Sequence, residues 1–225
     1  VCFHSFLINP NVVVQSLLAI ILIVVALVVC FPLINRLSLK YTINETGSAM
    51  TAGVKIGYYP FKRVSIPKTT QIKGRTYEVT HIEGAAFFGW NLLESVCLPN
   101  TIKSIGRWAF SMTSLQSANI PCGVERIDDN AYSMCELLTS VSISNTVKDI
   151  GDGAFSNCDN LMEVYVLAGS PPACSYSSYP TPGYTSFSSQ TYEKSTLYVP
   201  EGSVSLYKST SPWSNFSNIK AIPKK

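Results

Sequence analysis

The hydrophobic residues between Ile82 and Val166 recur with a fixed period. An isoleucine is followed four and five residues later by alanine and an aromatic residue, and this motif returns at intervals of 23, 22 and 23 residues. After each aromatic residue come a leucine, a small apolar residue and a further aliphatic residue, in the same order. The four motifs begin at Ile82, Ile105, Ile127 and Ile150. Apolar positions kept in register over four units predict a protein built from stacked repeats.

Polar and apolar residues alternate near the end of each unit, as in Ser117-Ala118-Asn119-Ile120. Alternation predicts a strand with one buried face. Because one unit cannot bury its own apolar face, successive strands should stack in parallel, roughly 4.8 Å apart. A period of about 20–29 residues rich in leucine and isoleucine is typical of leucine-rich repeats. The predicted fold is therefore a leucine-rich-repeat solenoid with one short parallel strand per repeat of 22–23 residues.

The chain divides into four predicted regions. They are a hydrophobic segment at 1–38, an N-terminal cap and first rung at 39–81, four repeats at 82–166, and a C-terminal cap at 167–225 that contains a long Ser/Tyr/Pro loop. The caps are expected to be β-rich and atypical, because terminal repeats must shield the open ends of the core. We expect Phe187 to pin the long loop to the core, and Trp213 and Phe216 to close its C-terminal end.

The N-terminal segment has a composition unlike the rest of the chain. Residues 1–35 contain no Lys, Arg, Asp or Glu, and the stretch from Val12 to Ile34 is nearly all apolar. As a helix this stretch would be roughly 34 Å long, which is enough to cross a bilayer core. The sequence predicts a membrane-inserting N-terminal helix, and it leaves open whether that helix is a cleaved signal or an anchor.

The repeat unit resembles a known family. Its clearest copy, Ile150-Gly-Asp-Gly-Ala-Phe-Ser-Asn-Cys-Asp-Asn-Leu161, is similar to the BspA-like leucine-rich repeat, and the flanking segments from Tyr41 to Ile222 resemble the same family. Proteins with this repeat occur on bacterial surfaces or are secreted, and they are associated with attachment to host matrix proteins or other cells. The resemblance therefore implies an exported, non-enzymatic protein that works in recognition.

The distribution of charge narrows the range of partners. The whole chain has a net charge of +3, yet residues 82–166 carry −6 and the remainder +9. A nucleic-acid platform would need a basic stripe along the repeats, so no nucleic-acid partner is expected. The two partners predicted are an extracellular protein or glycan, and the membrane through the N-terminal segment.

Little in the sequence predicts catalysis or a metal site. Cys135 and Cys158 share one column in adjacent repeats and are interpreted as buried thiols, with a disulfide as the alternative. Asp129 and Asp152 also share a column, and a surface charge ladder with Arg107 is a simpler interpretation than a calcium site. No catalytic residue, cofactor or metal is therefore predicted.

The outward strand positions are the candidate ligand-binding site. They form a flat ladder of mostly small polar side chains, which suits a macromolecule better than a small substrate. The candidate residues are Ser95, Ser117, Asn119, Ser140, Ser142, Glu163 and Tyr165, together with Tyr179 from the long loop. The same ladder would also serve as an ordinary solvated sheet face. The function predicted first is adhesion to host or neighbouring cells, and the alternative is an accessory domain that positions a membrane or secreted partner.

Overall fold

The structure is a computed structural model that describes residues 39–43, 51–53, 61–174 and 185–224. The chain forms two compact units, Val1–Leu39 and Lys40–Lys225. Apart from Leu39, the first unit lies outside the described residues, and so does the predicted N-terminal helix. In the part of the chain that is described, no helix is long and apolar enough to span a membrane.

The predicted stack of parallel strands is confirmed on one side of the repeats. These strands are β7 (Ser95–Cys97), β9 (Ser117–Ile120), β11 (Ser140–Ile143), β13 (Glu163–Val166), β15 (Thr196–Val199) and β16 (Asn218–Ala221). From β9 to β16 they form one five-stranded parallel sheet in sequence order. At the other end β7 pairs in parallel with β3 (Arg63–Ser65), which provides an earlier rung.

The prediction of one strand per repeat is incomplete, because each repeat contributes a second strand of two residues. These strands are β6 (His81–Ile82), β8 (Ser104–Ile105), β10 (Arg126–Ile127), β12 (Asp149–Ile150) and β14 (Ala173–Cys174). They pair in parallel, and β1 (Lys40–Thr42) and β2 (Thr51–Gly53) extend the same sheet. A two-residue strand is too short to show alternation, so its sequence pattern could not be separated from a turn.

A hairpin precedes the first full repeat. Its strands are β4 (Thr69–Ile72) and β5 (Arg75–Glu78), which pair antiparallel around Lys73 and Gly74. Both turn residues have positive φ angles, 49° and 78°. Positive φ at both central positions matches the twist of the flanking strands.

The core of the repeats is a column of stacked aromatic rings between the two sheets. Phe87, Phe110, Tyr132, Phe155 and Phe187 follow one another with ring centroids 4.9, 5.0, 5.3 and 5.1 Å apart. This spacing is close to the distance of about 4.7–4.9 Å between paired strands, so each rung supplies one ring. All five rings are buried, as are the isoleucine and leucine columns around them.

Each repeat turns through two residues in the left-handed conformation. The first column is Ala85, Trp108, Asn130 and Gly153, with φ of 55–59°, and the second is Gly89, Met112, Met134 and Asn157, with φ of 54–68°. In this conformation the amide points along the stack. For example, Asn130 N donates to Asp152 O at 2.9 Å, and Met134 N donates to Ser156 O at 2.8 Å. The turns therefore hydrogen-bond rung to rung, as the strands do.

The cysteine column has a structural role in these turns. Cys135 Sγ donates to Phe110 O and Cys158 Sγ donates to Tyr132 O, each at 3.1 Å. Thr113, which replaces cysteine in the second repeat, donates its hydroxyl to Phe110 O at 2.8 Å. Both cysteines are buried free thiols, as predicted. Phe110 O thus accepts from two of these side chains and Tyr132 O from one, so both carbonyls are hydrogen-bonded.

The C-terminal segment covers the last aromatic ring. Phe187 is buried against Phe155, as predicted, and is followed by α1 (Ser189–Lys194). A second short helix, α2 (Val204–Ser209), lies between β15 and β16. Trp213 is buried edge-on to Phe187 at 5.8 Å and donates Nε1 to Pro172 O at 2.9 Å. Phe216 is buried beside it, so both predicted closing residues contact the core.

Candidate functional site

The outward residues of the parallel strands form two rows, which together we call the sheet face. The first row is Arg63, Ser95, Ser117, Ser140, Glu163, Thr196 and Asn218, and the second is Ser65, Cys97, Asn119, Ser142, Tyr165, Tyr198 and Lys220. Their neighbours within each strand point inward and are mostly buried, since successive side chains of a strand alternate between its two faces. Six of the eight predicted site residues are therefore aligned on the five-stranded sheet, and Ser95 has the equivalent position on the separate β3–β7 pair.

The eighth predicted residue, Tyr179, lies outside the described residues. Its contribution to ligand binding stays a prediction. The ligand-binding role of the other seven residues also stays a prediction, although the structure gives their positions.

Two tyrosines interrupt the row of small side chains. Tyr165 on β13 and Tyr198 on β15 are cross-strand neighbours, and their rings stack with centroids 4.7 Å apart and planes 12° from parallel. The centroid distance equals the spacing of paired strands, about 4.7–4.9 Å, so the rings are stacked along the direction that joins the strands. The sequence analysis missed Tyr198, although the alternation in Leu197-Tyr198-Val199 places it outward.

The stacked pair has unequal neighbours on its two sides. Tyr165 lies opposite Ser142 on β11, whereas Tyr198 lies opposite Lys220 on β16. Serine has a single hydroxymethyl group, so no bulky side chain lies across the strand from the face of the Tyr165 ring that does not contact Tyr198, and we call this the open face. The long lysine side chain occupies the corresponding position beside Tyr198.

The hydroxyl of Tyr165 is polarised by a carboxylate on the same strand. It donates to Glu163 Oε2 at 3.3 Å. Partial burial raises the pKa of Tyr165, and the negative charge of Glu163 and the ring of Tyr198 raise it further. The phenol is therefore protonated at neutral pH, and Glu163 keeps acceptor capacity for a second donor.

Charge on the sheet face is confined to its ends and to Glu163. Between Arg63 and Glu163 the outward residues of the described strands are uncharged: Ser95, Cys97, Ser117, Asn119, Ser140 and Ser142. Lys220 follows at the C-terminal edge. The middle of the face therefore offers hydroxyl and amide groups for hydrogen bonding, with no cationic stripe.

A different surface surrounds the left-handed turns, and we call it the turn groove. It is an open groove of about 340 Å³ between successive turns. Its large apolar side chains, Phe88, Trp108, Met112 and Met134, are each 41–47% exposed. Arg107 lies over the Trp108 ring, with Cζ 5.5 Å from the ring centroid, a distance at which a cation is attracted to the ring. The sequence analysis missed this groove, because the repeat pattern assigns no buried position to these residues.

The predicted surface charge ladder is present only in part, because Arg107 contacts Asp129 whereas Asp152 is buried. Arg107 contacts Asp129 at 2.5 Å, and Arg126 contacts Asp128 at 2.5 Å and Asp149 at 3.5 Å. No group of three or more His, Cys, Asp or Glu side chains suited to a metal ion occurs within the described ranges.

Asp152 differs from the other carboxylates of the ladder because it is only 7% exposed. Its Oδ1 atom has no hydrogen-bond partner within the described ranges. Burial raises the pKa of Asp152, and the charge of Asp129 adds to the increase. Its backbone N–H donates to Asp129 Oδ1 at 3.0 Å, which ties the two rungs together.

Short parallel strands, one ring per rung and hydrogen-bonded turns define a leucine-rich-repeat solenoid. The chain belongs to the BspA type leucine-rich repeat family, whose sequence profile matches residues 54–170 in six copies. The match begins before Ile82, within the segment predicted as the N-terminal cap. Proteins of this family are typically bacterial surface or secreted proteins and non-enzymatic binding modules.

Two solved structures share this fold. A leucine-rich-repeat protein of T. pallidum (TpLRR) is 26% identical, with a TM-score of 0.52 and coverage of 59% of each chain. A leucine-rich-repeat protein of Bacteroides capillosus is 25% identical, with a TM-score of 0.51 over 57% of this chain and 94% of that one. The chain thus spans little more than half the length of the T. pallidum protein. No curated protein shows significant similarity to this chain.

Proposed function

We propose that this chain is an exported recognition module that binds an extracellular protein or glycan through the sheet face and serves adhesion to host or neighbouring cells. The family supports this proposal, since its members are typically surface or secreted proteins. The N-terminal segment, predicted to insert into the membrane, would keep the repeats at the cell surface or direct their export.

The observation that carries the proposal is the stacked pair of Tyr165 and Tyr198 on an otherwise small and polar sheet. Solvation of a sheet face requires only polar groups, and serine or threonine would meet that requirement. Two partly exposed rings instead provide apolar area with few rotatable bonds, which is the property of residues that anchor interfaces. Their position in a flat, open row favours a ligand that extends over several rungs.

The geometry also favours binding over catalysis. Around the tyrosine pair the described polar groups are the hydroxyls of serine and Thr196, the amides of Asn119 and Asn218, the Glu163 carboxylate and the Lys220 ammonium. Nucleophilic catalysis by a serine needs an adjacent base within hydrogen-bond reach, and the hydrogen bond of Glu163 on this face goes to Tyr165. We therefore propose a non-enzymatic role.

The experiment is a binding panel with the full chain in mild detergent, tested against intact cells, matrix proteins and immobilised glycans. Tyr165→Ala should weaken binding, and Tyr165→Ala combined with Tyr179→Ala should weaken it further. Loss of an aromatic anchor typically costs about 2 kcal/mol or more of binding energy. Tyr77→Ala, on the β4–β5 hairpin, removes the same side chain from a different surface and is the matched control.

The proposal fails if the wild-type chain binds none of these targets, or if Tyr165→Ala and Tyr77→Ala bind equally well with unchanged melting temperatures. The melting temperature separates loss of the site from loss of the fold. Single substitutions at Ser117 or Ser140 should have little effect, because each rung contributes only a small part of an extended contact.

The second candidate function is an accessory domain that positions another protein. It is favoured by the turn groove, whose exposed apolar side chains lie on repeats that are already fully stacked. Exposed apolar patches of this kind commonly mark interaction surfaces. If this function were the correct one, Trp108→Gly would abolish copurification of a partner while Tyr165→Ala would leave it intact.

A further inference from the structure

We propose that the open face of Tyr165 is a binding subsite for a pyranose ring of a neutral glycan. This inference rests on the proposed function and specifies its ligand class. The structural basis is the arrangement of Tyr165 and Tyr198 above β11, together with the charges that surround them.

The stacked tyrosine rings and the small residue on the next strand give the subsite its shape. Tyr198 supports one face of the Tyr165 ring at a centroid distance of 4.7 Å. The other, open face has Ser142 as its cross-strand neighbour on β11. The ring is thus held upright as a wall, with small side chains as the floor beside it. A flat ring of the ligand can lie against this wall without any movement of the protein.

The Tyr165 ring and the polar groups beside it match the two kinds of group on a pyranose ring, its C–H face and its hydroxyls. An aromatic face carries partial negative charge and attracts weakly positive hydrogens, such as those on the C–H face of a pyranose ring. The hydroxyls of such a ring need hydrogen-bond partners when water leaves. The Glu163 carboxylate can accept two of them, and the hydroxyls of Ser140 and Ser142 can both donate and accept.

The charges around the subsite favour an uncharged ligand. The six outward positions between Arg63 and Glu163 carry no charge, and Glu163 is the nearest charged group on the same strand as Tyr165. A carboxylate beside the subsite repels phosphate, sulfate and carboxylate groups of a ligand, because like charges repel more strongly near a protein surface than in bulk water. The subsite is therefore complementary to uncharged sugars and discriminates against sulfated or sialylated ones.

The residues on the two sides of the tyrosine pair determine the direction in which an oligosaccharide would extend. On the far side of the pair, the Lys220 side chain stands beside Tyr198. On the near side, the polar ladder continues from Ser142 to Asn119. An oligosaccharide stacked on Tyr165 would extend across the strands over this ladder.

The test uses the full 225-residue chain in mild detergent and three probes. The probes are neutral hexose oligosaccharides of six units with α and β linkages, a sulfated oligosaccharide of the same length, and the matrix proteins of the panel above. Affinity is measured by isothermal titration calorimetry, and thermal unfolding is followed for every variant.

Two pairs of variants locate the subsite. Tyr165→Ala removes the wall, whereas Tyr165→Phe keeps the ring. Ser142→Tyr fills the space against the open face of Tyr165, whereas Lys220→Tyr places the same side chain against Tyr198 on the opposite side. We expect at least one neutral oligosaccharide to bind, with a loss of about tenfold or more, equivalent to about 1.4 kcal/mol, in Tyr165→Ala and Ser142→Tyr. Tyr165→Phe and Lys220→Tyr should bind within about threefold of wild type.

The remaining outcomes overturn the inference in distinguishable ways. Binding of matrix proteins without any oligosaccharide would reject the glycan subsite and leave the proposed function standing. Binding of the sulfated probe alone would reject the argument from charge. Equal losses in Ser142→Tyr and Lys220→Tyr would show that the ligand does not use the open face of Tyr165. Failure to bind any probe would reject the inference and the proposed function together.

Discussion

The sheet face and the turn groove are two surfaces of the same repeats, and they present opposite kinds of side chain. The sheet face is small and polar apart from one tyrosine pair, and its backbone is an ordinary strand that accepts any residue. The turn groove exposes Trp108, Met112 and Met134, and all three have a positive φ angle. A left-handed conformation costs roughly 1–2 kcal/mol for a residue with a side chain. Bulky apolar residues there are unfavourable both in conformation and in exposure.

The fourth repeat shows that the fold does not require these bulky residues. At the positions of Trp108 and Met112 it has Gly153 and Asn157, which adopt the same left-handed angles. Glycine and asparagine adopt this conformation more readily than other residues do. The residues of the sheet face are therefore compatible with their backbone conformation, whereas the bulky residues of the turn groove are not the types that a positive φ favours. Both surfaces nevertheless depend on the same aromatic column. The largest predicted effect is therefore that of a substitution in this column.

Phe110→Ala should disrupt both surfaces together. The Phe110 ring is buried and stacks between Phe87 and Tyr132. Its removal should lower the free energy of unfolding by about 3–5 kcal/mol, a large share of the roughly 5–15 kcal/mol typical of a folded domain. Chemical denaturation followed by circular dichroism measures this loss. An unchanged unfolding midpoint would contradict the assigned core.

Gly151→Ala should test how closely the turns of successive rungs pack, independently of the strands. A Cβ atom at Gly151 would lie 2.4 Å from the backbone N of Asp129 in the preceding rung. Overpacking of this kind costs about 1–3 kcal/mol, and the cost should appear as a lower melting temperature. Gly202→Ala is the control, because nothing lies within 4 Å of the corresponding Cβ. Equal melting temperatures for both variants would show that rung-to-rung contact at the turns is looser than described.

Met112→Asn should stabilise the chain. Met112 is 47% exposed and has a φ of 59°, so asparagine should relieve a conformational cost that exceeds the loss of partly buried apolar area. The expected gain is about 1 kcal/mol in the free energy of unfolding. Met162→Asn provides the control, since Met162 is equally exposed at 48% and is not among the positive-φ residues. A loss of stability in Met112→Asn would mean that the groove contributes to the fold.

The smallest predicted effect concerns the buried carboxylate of Asp152. Its pKa is raised in the folded chain, so the folded chain holds the proton more tightly than the unfolded chain does. Stability should therefore fall as the pH rises from the unfolded aspartate pKa, about 3.9, through the raised folded value. Asp152→Asn removes this loss and should raise the melting temperature more at pH 7 than at pH 3. Asp159→Asn, which removes an exposed carboxylate from the next turn, is the control variant.

Much of the fold could be predicted from the sequence because the repeat imposes the same physical constraint four times. The period located the buried isoleucine, leucine and aromatic columns, and alternation identified which strand residues point outward. The two-residue strands could not be predicted, since two residues carry no periodicity. The left-handed turns could not be predicted either, because Trp108 and Met112 are not residue types that signal a positive φ.

The candidate site was predictable in position more than in composition. Alternation placed Ser117, Ser140 and Tyr165 on one face, and in the structure Ser117 and Ser140 lie in one row and Tyr165 in the adjacent row. Tyr198 was missed because it lies beyond the long loop, where the repeat period is broken. Its stacking on Tyr165 depends on the pairing of β13 with β15, which no local sequence signal contains.

The most direct test of the account compares one substitution on each surface in a single assay. Affinity of the full chain for its best ligand in the binding panel is measured for Tyr165→Ala on the sheet face and Trp108→Gly in the turn groove. The account predicts a loss of about tenfold or more for Tyr165→Ala, wild-type affinity for Trp108→Gly, and an unchanged melting temperature for Tyr165→Ala. Wild-type affinity for Tyr165→Ala together with lost binding for Trp108→Gly would contradict it and assign recognition to the turn groove.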